Sequence, residues 1–151
     1  MLVVDDEPEV RHLFSEVLGS AGFDCAEAPN AEQAWRLLEQ GLLPAGILLD
    51  LRMPGIGGLA FLRQLRADAR YAALPVSIVT GESIVDPATR VAVDALDAGF
   101  TFKPVEIDDL IALARTMAAQ ALRGPDGTAG TRKARSHAKR PGVSQKRTGP
   151  R

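Results

Sequence analysis

Short, unbroken apolar runs alternate along this chain with longer stretches in which apolar residues recur at helical spacing. The short runs predict five strands, at 2–4, 23–26, 45–49, 75–80 and 100–102. The periodic stretches predict five helices, at 8–22, 30–38, 59–67, 87–98 and 107–122. Strands that alternate with helices are joined by right-handed crossovers. The pattern therefore predicts an α/β fold with a doubly wound parallel sheet.

Local signals support several helix starts and a packed interior. Pro8 sits where a first helical turn accepts proline, and Asn30 is followed by Gln33 in capping-box position. Trp35 lies in the apolar stripe of the second predicted helix and is interpreted as core. Cys25 is the only cysteine, which excludes an internal disulfide and a cysteine metal cluster, and it is expected to act as a small buried hydrophobe.

The net charge of −1 conceals two segments of opposite charge. Residues 1–122 hold nine Lys or Arg against eighteen Asp or Glu, whereas residues 123–151 hold nine Lys or Arg against Asp126 alone. After Leu122, Val143 is the only large apolar residue. We expect one folded domain at 1–122 and a basic, disordered tail at 123–151, without a folded output domain.

The basic tail leaves several functions open. It suits nonspecific binding to nucleic acid or to an anionic membrane surface, and equally an intramolecular contact with the acidic domain. A solvated extension without a specific function is favoured, because basic runs usually are solvated. Since no apolar run approaches the ~20 residues of a membrane helix, a cytoplasmic location is expected.

Polar side chains follow four of the predicted strands where each strand ends. Asp5 and Asp6 follow the first strand, Asp50 the third, Thr80 the fourth and Lys103 the fifth. Taken alone, Asp50 is explained equally well as a turn or cap residue. Together, these residues should meet at the carboxyl edge of a parallel sheet, where such folds place their chemistry. Clustered carboxylates favour Mg²⁺, and the lysine and threonine suit phosphate oxygens, so the set predicts phosphoryl transfer onto a carboxylate.

Five segments carry a resemblance to the receiver domain of bacterial two-component response regulators. They are Val3–Pro8, Leu49–Pro54, Gly58–Leu59, Thr80–Gly81 and Ala98–Pro104. The resemblance covers about residues 1–120. It implies the flavodoxin-like fold of chemotaxis regulators, with strand order 2-1-3-4-5 and five helices.

The resemblance assigns roles position by position. Asp50 resembles the phosphoacceptor. The implied Mg²⁺ ligands are Asp5, Asp6, Asp50 and the backbone carbonyl of Arg52. The implied catalytic and switch residues are Thr80, Lys103 and the aromatic Phe100.

The function implied is that of a single-domain response regulator in a two-component system or phosphorelay. It would take a phosphoryl group from a sensor histidine kinase or histidine phosphotransfer protein and would catalyse only its own phosphorylation and dephosphorylation. Its signal would reach a downstream protein, or drive homodimer formation, through the surface of the fourth helix, fifth strand and fifth helix. A pseudo-receiver that binds partners without phosphorylation remains the main alternative. A phosphohydrolase is disfavoured because Arg52 replaces its usual second acid, and a nucleotide-binding Rossmann domain because no G-x-G-x-x-G follows the first strand.

The chain also departs from the family pattern. Gly57 stands where the family usually has an acid, which predicts a looser turn and a less defined start to the third helix. Phe100 lacks the hydroxyl of the commoner tyrosine. Arg52 and Glu82 each lie two residues beyond a site residue, and we hypothesise that they pair across the mouth of the site and hinder the water that removes the phosphoryl group. Two solvated charges are the simpler alternative.

Overall fold

The computed structural model describes residues 1–82 and 84–124, and these form five strands that alternate with five helices. In chain order the elements are β1 (Leu2–Val4), α1 (Pro8–Ser20), β2 (Ala26–Ala28), α2 (Ala31–Glu39), β3 (Ile47–Leu49), α3 (Gly58–Ala67), β4 (Val76–Thr80), α4 (Pro87–Ala95), β5 (Gly99–Phe102) and α5 (Ile107–Arg123). The predicted basic tail lies, from residue 125 onward, outside the described residues.

The five strands form one parallel sheet in the order β2-β1-β3-β4-β5. Leu2 pairs with Ala26 on one side and Ile47 on the other, so β1 lies in the interior of the sheet. The predicted fold class and strand order are confirmed. Because all strands run the same way, their carboxyl ends share one edge.

Each face of the sheet is covered by helices and has its own apolar core. Side chains of α2, α3 and α4 cover one face, and Phe61, Leu62 and Leu65 of α3 are fully buried there. Side chains of α1 and α5 cover the other face, with Leu18 and Met117 buried among them. Burial on both faces explains the apolar character of β1, β3 and β4, each of which is buried along its whole length.

The second strand was predicted too early in the chain. It spans Ala26–Ala28 instead of 23–26, because the backbone of Ala26 donates to Met1 and that of Ala28 accepts from Asp5. Phe23 and Cys25 instead pack at the edge of the core beneath α1 and α5. Cys25 is only partly buried, and burial raises the pKa of its thiol.

The fourth helix is shorter than predicted, and most other boundaries agree within two residues. Helix α4 ends at Ala95, three residues before the predicted end, and Asp97 then takes a positive φ of 50° that turns the chain into β5. At the start of α2, the side chain of Asn30 accepts from the backbone of Gln33, as predicted. Trp35 packs partly against the core, edge-on to Phe61. None of the helices in residues 1–82 and 84–124 combines the length and apolarity required to cross a membrane.

Candidate functional site

Adjacent strands bring three carboxylates together at the carboxyl edge of the sheet. Asp5 follows β1 and Asp50 follows β3, and the Asp50 amide donates to the Val4 carbonyl at 2.8 Å. Asp5 is 3% exposed and Asp50 is 6% exposed, whereas Asp6 is exposed. One oxygen from each of these three carboxylates lies within 4.8 Å of the others. The predicted acidic cluster is therefore present, although like charges this close repel each other.

Lys103, directly after β5, reaches across the sheet edge into this cluster. Its Nζ donates to Asp5 Oδ2 at 2.7 Å and lies 3.9 Å from Asp50 Oδ1. Burial opposes its charge, but the hydrogen bond and the charges of Asp5, Asp50 and Glu7 together raise the pKa of Lys103. Lys103 therefore stays a cation and offsets part of the negative charge of the site.

Glu7 is a fourth acid of the site, and the sequence reasoning did not identify it. Its Oε1 lies 3.4 Å from Lys103 Nζ, and its backbone amide donates to Asp5 Oδ1 at 2.9 Å. The only signal in the sequence was its position directly after Asp5 and Asp6. The Glu7 side chain is mostly exposed, so its interaction with Lys103 is screened by water.

The carboxyl group of Asp50 binds a proton more tightly than that of an ordinary aspartate. Burial raises the pKa of its carboxyl from 3.8 to about 6; the charge of Lys103 opposes this rise, and the charge of Asp5 adds to it. A hydrogen bond from the backbone of Leu51 also favours the ionised form. At neutral pH the carboxylate is mainly ionised but poorly solvated, which suits a nucleophile.

The β3–α3 loop passes so close to Asp50 that it requires glycine. A Cβ at Gly58 would lie 2.2 Å from the Asp50 carbonyl oxygen, whereas one at Gly57 would meet only the Leu51 carbonyl, at 3.7 Å. The acid usual in the family would therefore fit at Gly57. Because Gly57 is the N-cap residue of α3, the helix starts without a side-chain cap. The predicted start of the third helix near Leu59 is nonetheless confirmed to within one residue.

An open cleft of about 650 Å³ leads to Asp50. Its lining residues are Asp6, Glu7, Asp50, Arg52, Gly81, Glu82 and Ile84. Arg52 Nε and Glu82 Oε1 form an ion pair at the mouth of this cleft, which confirms the predicted pairing. The Arg52 side chain is 82% exposed. Its backbone carbonyl as a metal ligand stays a prediction.

Thr80 and Phe100 lie on the same face of two paired strands. The register pairs Ile78 with Phe100 and Thr80 with Phe102, so all four side chains point toward the α4 side of the sheet. Thr80 is 1% exposed, and its Oγ1 accepts from the Glu82 amide at 3.2 Å. Phe100 is half-buried against the core and stacks on Phe102, with 6.1 Å between ring centroids. The two predicted switch residues are therefore diagonal neighbours.

The donor chemistry of the cluster fits Mg²⁺. Asp5, Asp6 and Asp50 offer hard carboxylate oxygens, and none of the groups in the cluster is a histidine or cysteine. Mg²⁺ binds through a few carboxylates while keeping water and phosphate ligands, and the open cleft leaves room for those. A dication would also relieve the repulsion that accompanies the raised pKa of Asp50.

Curated proteins similar to this chain are response regulators. The chain is 36% identical over 127 residues to the response regulator Rre1 of Synechocystis, covering 83% of this chain and 54% of that protein. It is 36% identical over 114 residues to the DNA-binding transcriptional regulator NtrC of Escherichia coli K12, covering 74% of this chain and 23% of that protein. The chain thus spans about half the length, or less, of these relatives.

Solved receiver structures share this fold. A response regulator receiver protein from Pseudomonas putida superposes with a TM-score of 0.71 at 34% identity, covering 76% of this chain and 93% of that chain. The chemotaxis protein CheY4 of Vibrio cholerae gives a TM-score of 0.69 at 25% identity, covering 77% of this chain and 95% of that chain. The family model described as "Response regulator receiver domain" matches residues 1–115. By its sheet, its acidic strand ends and this match, the chain belongs to the response regulator receiver domain family of two-component systems.

Proposed function

We propose that this receiver is phosphorylated on Asp50 and that Asp5, Asp6 and Asp50 hold the Mg²⁺ that the reaction needs. The observation that carries this proposal is the convergence of these three carboxylates and Lys103 on one sheet edge, with Asp50 at the inner end of an open cleft. A receiver that only binds partners would have no need of two buried aspartates and a partly buried lysine at that edge.

The reaction is in-line attack by a carboxylate oxygen of Asp50 on the phosphorus of a phosphohistidine. A P–O bond forms while the P–N bond breaks, and the imidazole of the donor leaves with the electron pair and takes up a proton. When bound, Mg²⁺ supplies positive charge that stabilises the transferring phosphoryl group. Lys103, 3.9 Å from Asp50, contributes a second positive charge.

Asp50 is suited to this attack by its surroundings. With a pKa of about 6 it is mostly ionised at pH 7 and above, so it is available as a nucleophile. Because it is only 6% exposed, little water must be displaced before the phosphorus approaches. Water reaching the product through the same cleft would later hydrolyse it and reset the receiver.

The signal would pass from Thr80 to Phe100. A phosphoryl group on Asp50 would attract the Thr80 hydroxyl, which presently accepts from Glu82, and Phe100 would fill the space that Thr80 leaves. Because Phe100 is half-buried between the core and the surface of β5, its movement would alter the α4–β5–α5 surface. Receivers interact with histidine kinases and downstream effectors, and we expect a histidine kinase or phosphotransfer protein as donor and an effector or second copy at this surface.

The test is intact mass measurement after incubation with a small phosphodonor and Mg²⁺. Wild type should gain the mass of one phosphoryl group, and Asp50→Ala should gain none. Asp94→Asn, which alters an exposed aspartate of α4, is the matched control and should react like wild type. Omitting Mg²⁺ should abolish the reaction.

Two results would contradict the proposal. Phosphorylation of Asp50→Ala to the wild-type extent would place the acceptor elsewhere. Absence of any reaction in wild type, both with the small donor and with a phosphorylated histidine phosphotransfer protein, would favour the pseudo-receiver alternative.

A further inference from the structure

Arg11 contacts the acidic pair, Asp5 and Asp6, at the backbone carbonyl of Asp5 and not at a carboxylate. Its Nη1 donates to the Asp5 carbonyl oxygen at 2.7 Å. Its Nε donates to Glu27 Oε2 at 3.3 Å, and Glu27 is the central residue of β2. The Arg11 side chain is only 15% exposed. One guanidinium of α1 therefore links the loop after β1 to the neighbouring strand.

With this bond, Asp5 is held at all four of its polar positions. Its backbone amide donates to Ala28, Oδ1 accepts from the Glu7 amide, and Oδ2 accepts from Lys103. The carbonyl is the fourth position and its bond comes from Arg11. The other three bonds fix the strand end and the side chain, whereas the Arg11 bond fixes the peptide that joins Asp5 to Asp6.

A peptide unit is planar, so holding its oxygen also sets the direction in which the next residue leaves. The Asp5 carbonyl belongs to the same planar unit as the Asp6 nitrogen. Asp6 is exposed and lies beyond the strand, so its carboxylate depends on this peptide for its position. We propose that Arg11 is a positioning residue that sets the spacing of the Asp5 and Asp6 carboxylates for Mg²⁺. This inference rests on the Mg²⁺ site proposed above.

The positive charge of Arg11 should by itself weaken Mg²⁺ binding, whereas its positioning of the carboxylates should strengthen binding. The two effects can therefore be told apart by experiment. A guanidinium close to the acidic pair repels a dication, so removing it would tighten Mg²⁺ binding if charge were its only influence. Pairing with Glu27 offsets this repulsion. If positioning dominates, removing Arg11 weakens Mg²⁺ binding instead. Loss of a group that orients a metal ligand typically weakens affinity by 10- to 100-fold.

The experiment is a titration of the full chain with Mg²⁺ alone, followed by backbone amide NMR shifts. Arg11→Met keeps the unbranched stem and the helix preference of the side chain but removes the guanidinium, with its charge and its donors. We expect its Mg²⁺ dissociation constant to rise about tenfold. Arg11→Lys, which retains the charge and a single donating nitrogen, should recover part of the loss. Arg63→Met is the matched control because it removes an exposed arginine of α3, and it should bind like wild type.

Each outcome decides the inference. Weaker binding in Arg11→Met with partial recovery in Arg11→Lys, in variants whose amide spectra without Mg²⁺ show the folded chain, supports positioning. Equal or tighter binding in Arg11→Met overturns it. Equal weakening in Arg63→Met also overturns it, because the effect would then be general. A wild-type chain that binds no Mg²⁺ overturns both this inference and the proposed metal site. If wild type binds Mg²⁺ and Arg11→Met has the same dissociation constant, only this inference is overturned.

Discussion

Replacing Asp50 with asparagine should stabilise the metal-free protein at neutral pH. Burial raises the pKa of the Asp50 carboxyl from 3.8 to about 6, with Lys103 opposing and Asp5 reinforcing that rise. At roughly 1.4 kcal/mol per pH unit, ionised Asp50 destabilises the fold by about 3 kcal/mol. Asparagine has nearly the same shape and retains an oxygen that accepts from the Leu51 amide. Because its own amide is buried, the expected gain is smaller, about 1 to 2 kcal/mol.

The stability gained by Asp50→Asn should depend on pH. The pKa of Asp50 is higher in the folded state than in the unfolded state, so the folded wild type binds more protons between about pH 4 and pH 6. Its stability therefore decreases as pH rises through that window. Asparagine does not titrate. The stabilisation by Asp50→Asn should be fully present above about pH 7 and should shrink steadily as the pH approaches about 4.

Urea unfolding in the presence of EDTA measures this difference directly. Midpoints and slopes for wild type and Asp50→Asn would be compared at several pH values between about 4 and 8. Asp94→Asn serves as the control for loss of a surface aspartate and should change stability by less than about 0.5 kcal/mol. If Asp50→Asn is less stable than wild type at pH 8, the buried charge is not unfavourable and the reasoning from its pKa fails.

Three further predictions concern the loops around the site. Arg52→Ala and Glu82→Ala should each speed loss of the phosphoryl group by at most about 5-fold, since an ion pair with one exposed partner, here Arg52, is worth up to about 1 kcal/mol. Unchanged dephosphorylation rates, followed by mass, would refute a role for this pair. Gly58→Ala should destabilise the protein by about 1 to 3 kcal/mol in urea unfolding, because its Cβ would overlap the Asp50 carbonyl, and wild-type stability would contradict that contact. Gly57→Asp should stabilise by a few tenths of a kcal/mol by capping α3, and a loss of stability would show that charge repulsion outweighs the cap.

Much of the fold could be predicted because its strands are buried on both faces. A three-residue strand such as Ile47–Leu49 is recognisable when every residue is apolar and a turn follows at once. The second strand failed this criterion, because Glu27 is its central residue while the more apolar Phe23 lies before it. Edge strands carry a weaker signal than central ones, and the end of β1 set the register here.

Some of the site residues could be predicted from the sequence and others could not. Asp5, Asp50 and Lys103 could be predicted because a parallel sheet sends every strand end to one edge, so position along the chain determines position in space. Glu7 and Arg11 could not, because their roles depend on how α1 leaves the sheet. Arg11 is six residues from Asp5 and sixteen from Glu27, and no sequence spacing joins those three groups.

The same sheet geometry explains why like charges stay close together at this site. Two parallel strands that are anchored along apolar residues deliver Asp5 and Asp50 to adjacent positions, and neither strand can shift without exposing its core. The repulsion therefore cannot relax by moving the backbone, and it adds to the burial that is the main cause of the raised pKa of Asp50. Only a change in charge relieves it, through a proton, a cation or a covalent group. A site with that property would respond to metal binding and to the proposed phosphorylation more strongly than a solvated aspartate could, because in water the same changes in charge would be largely screened.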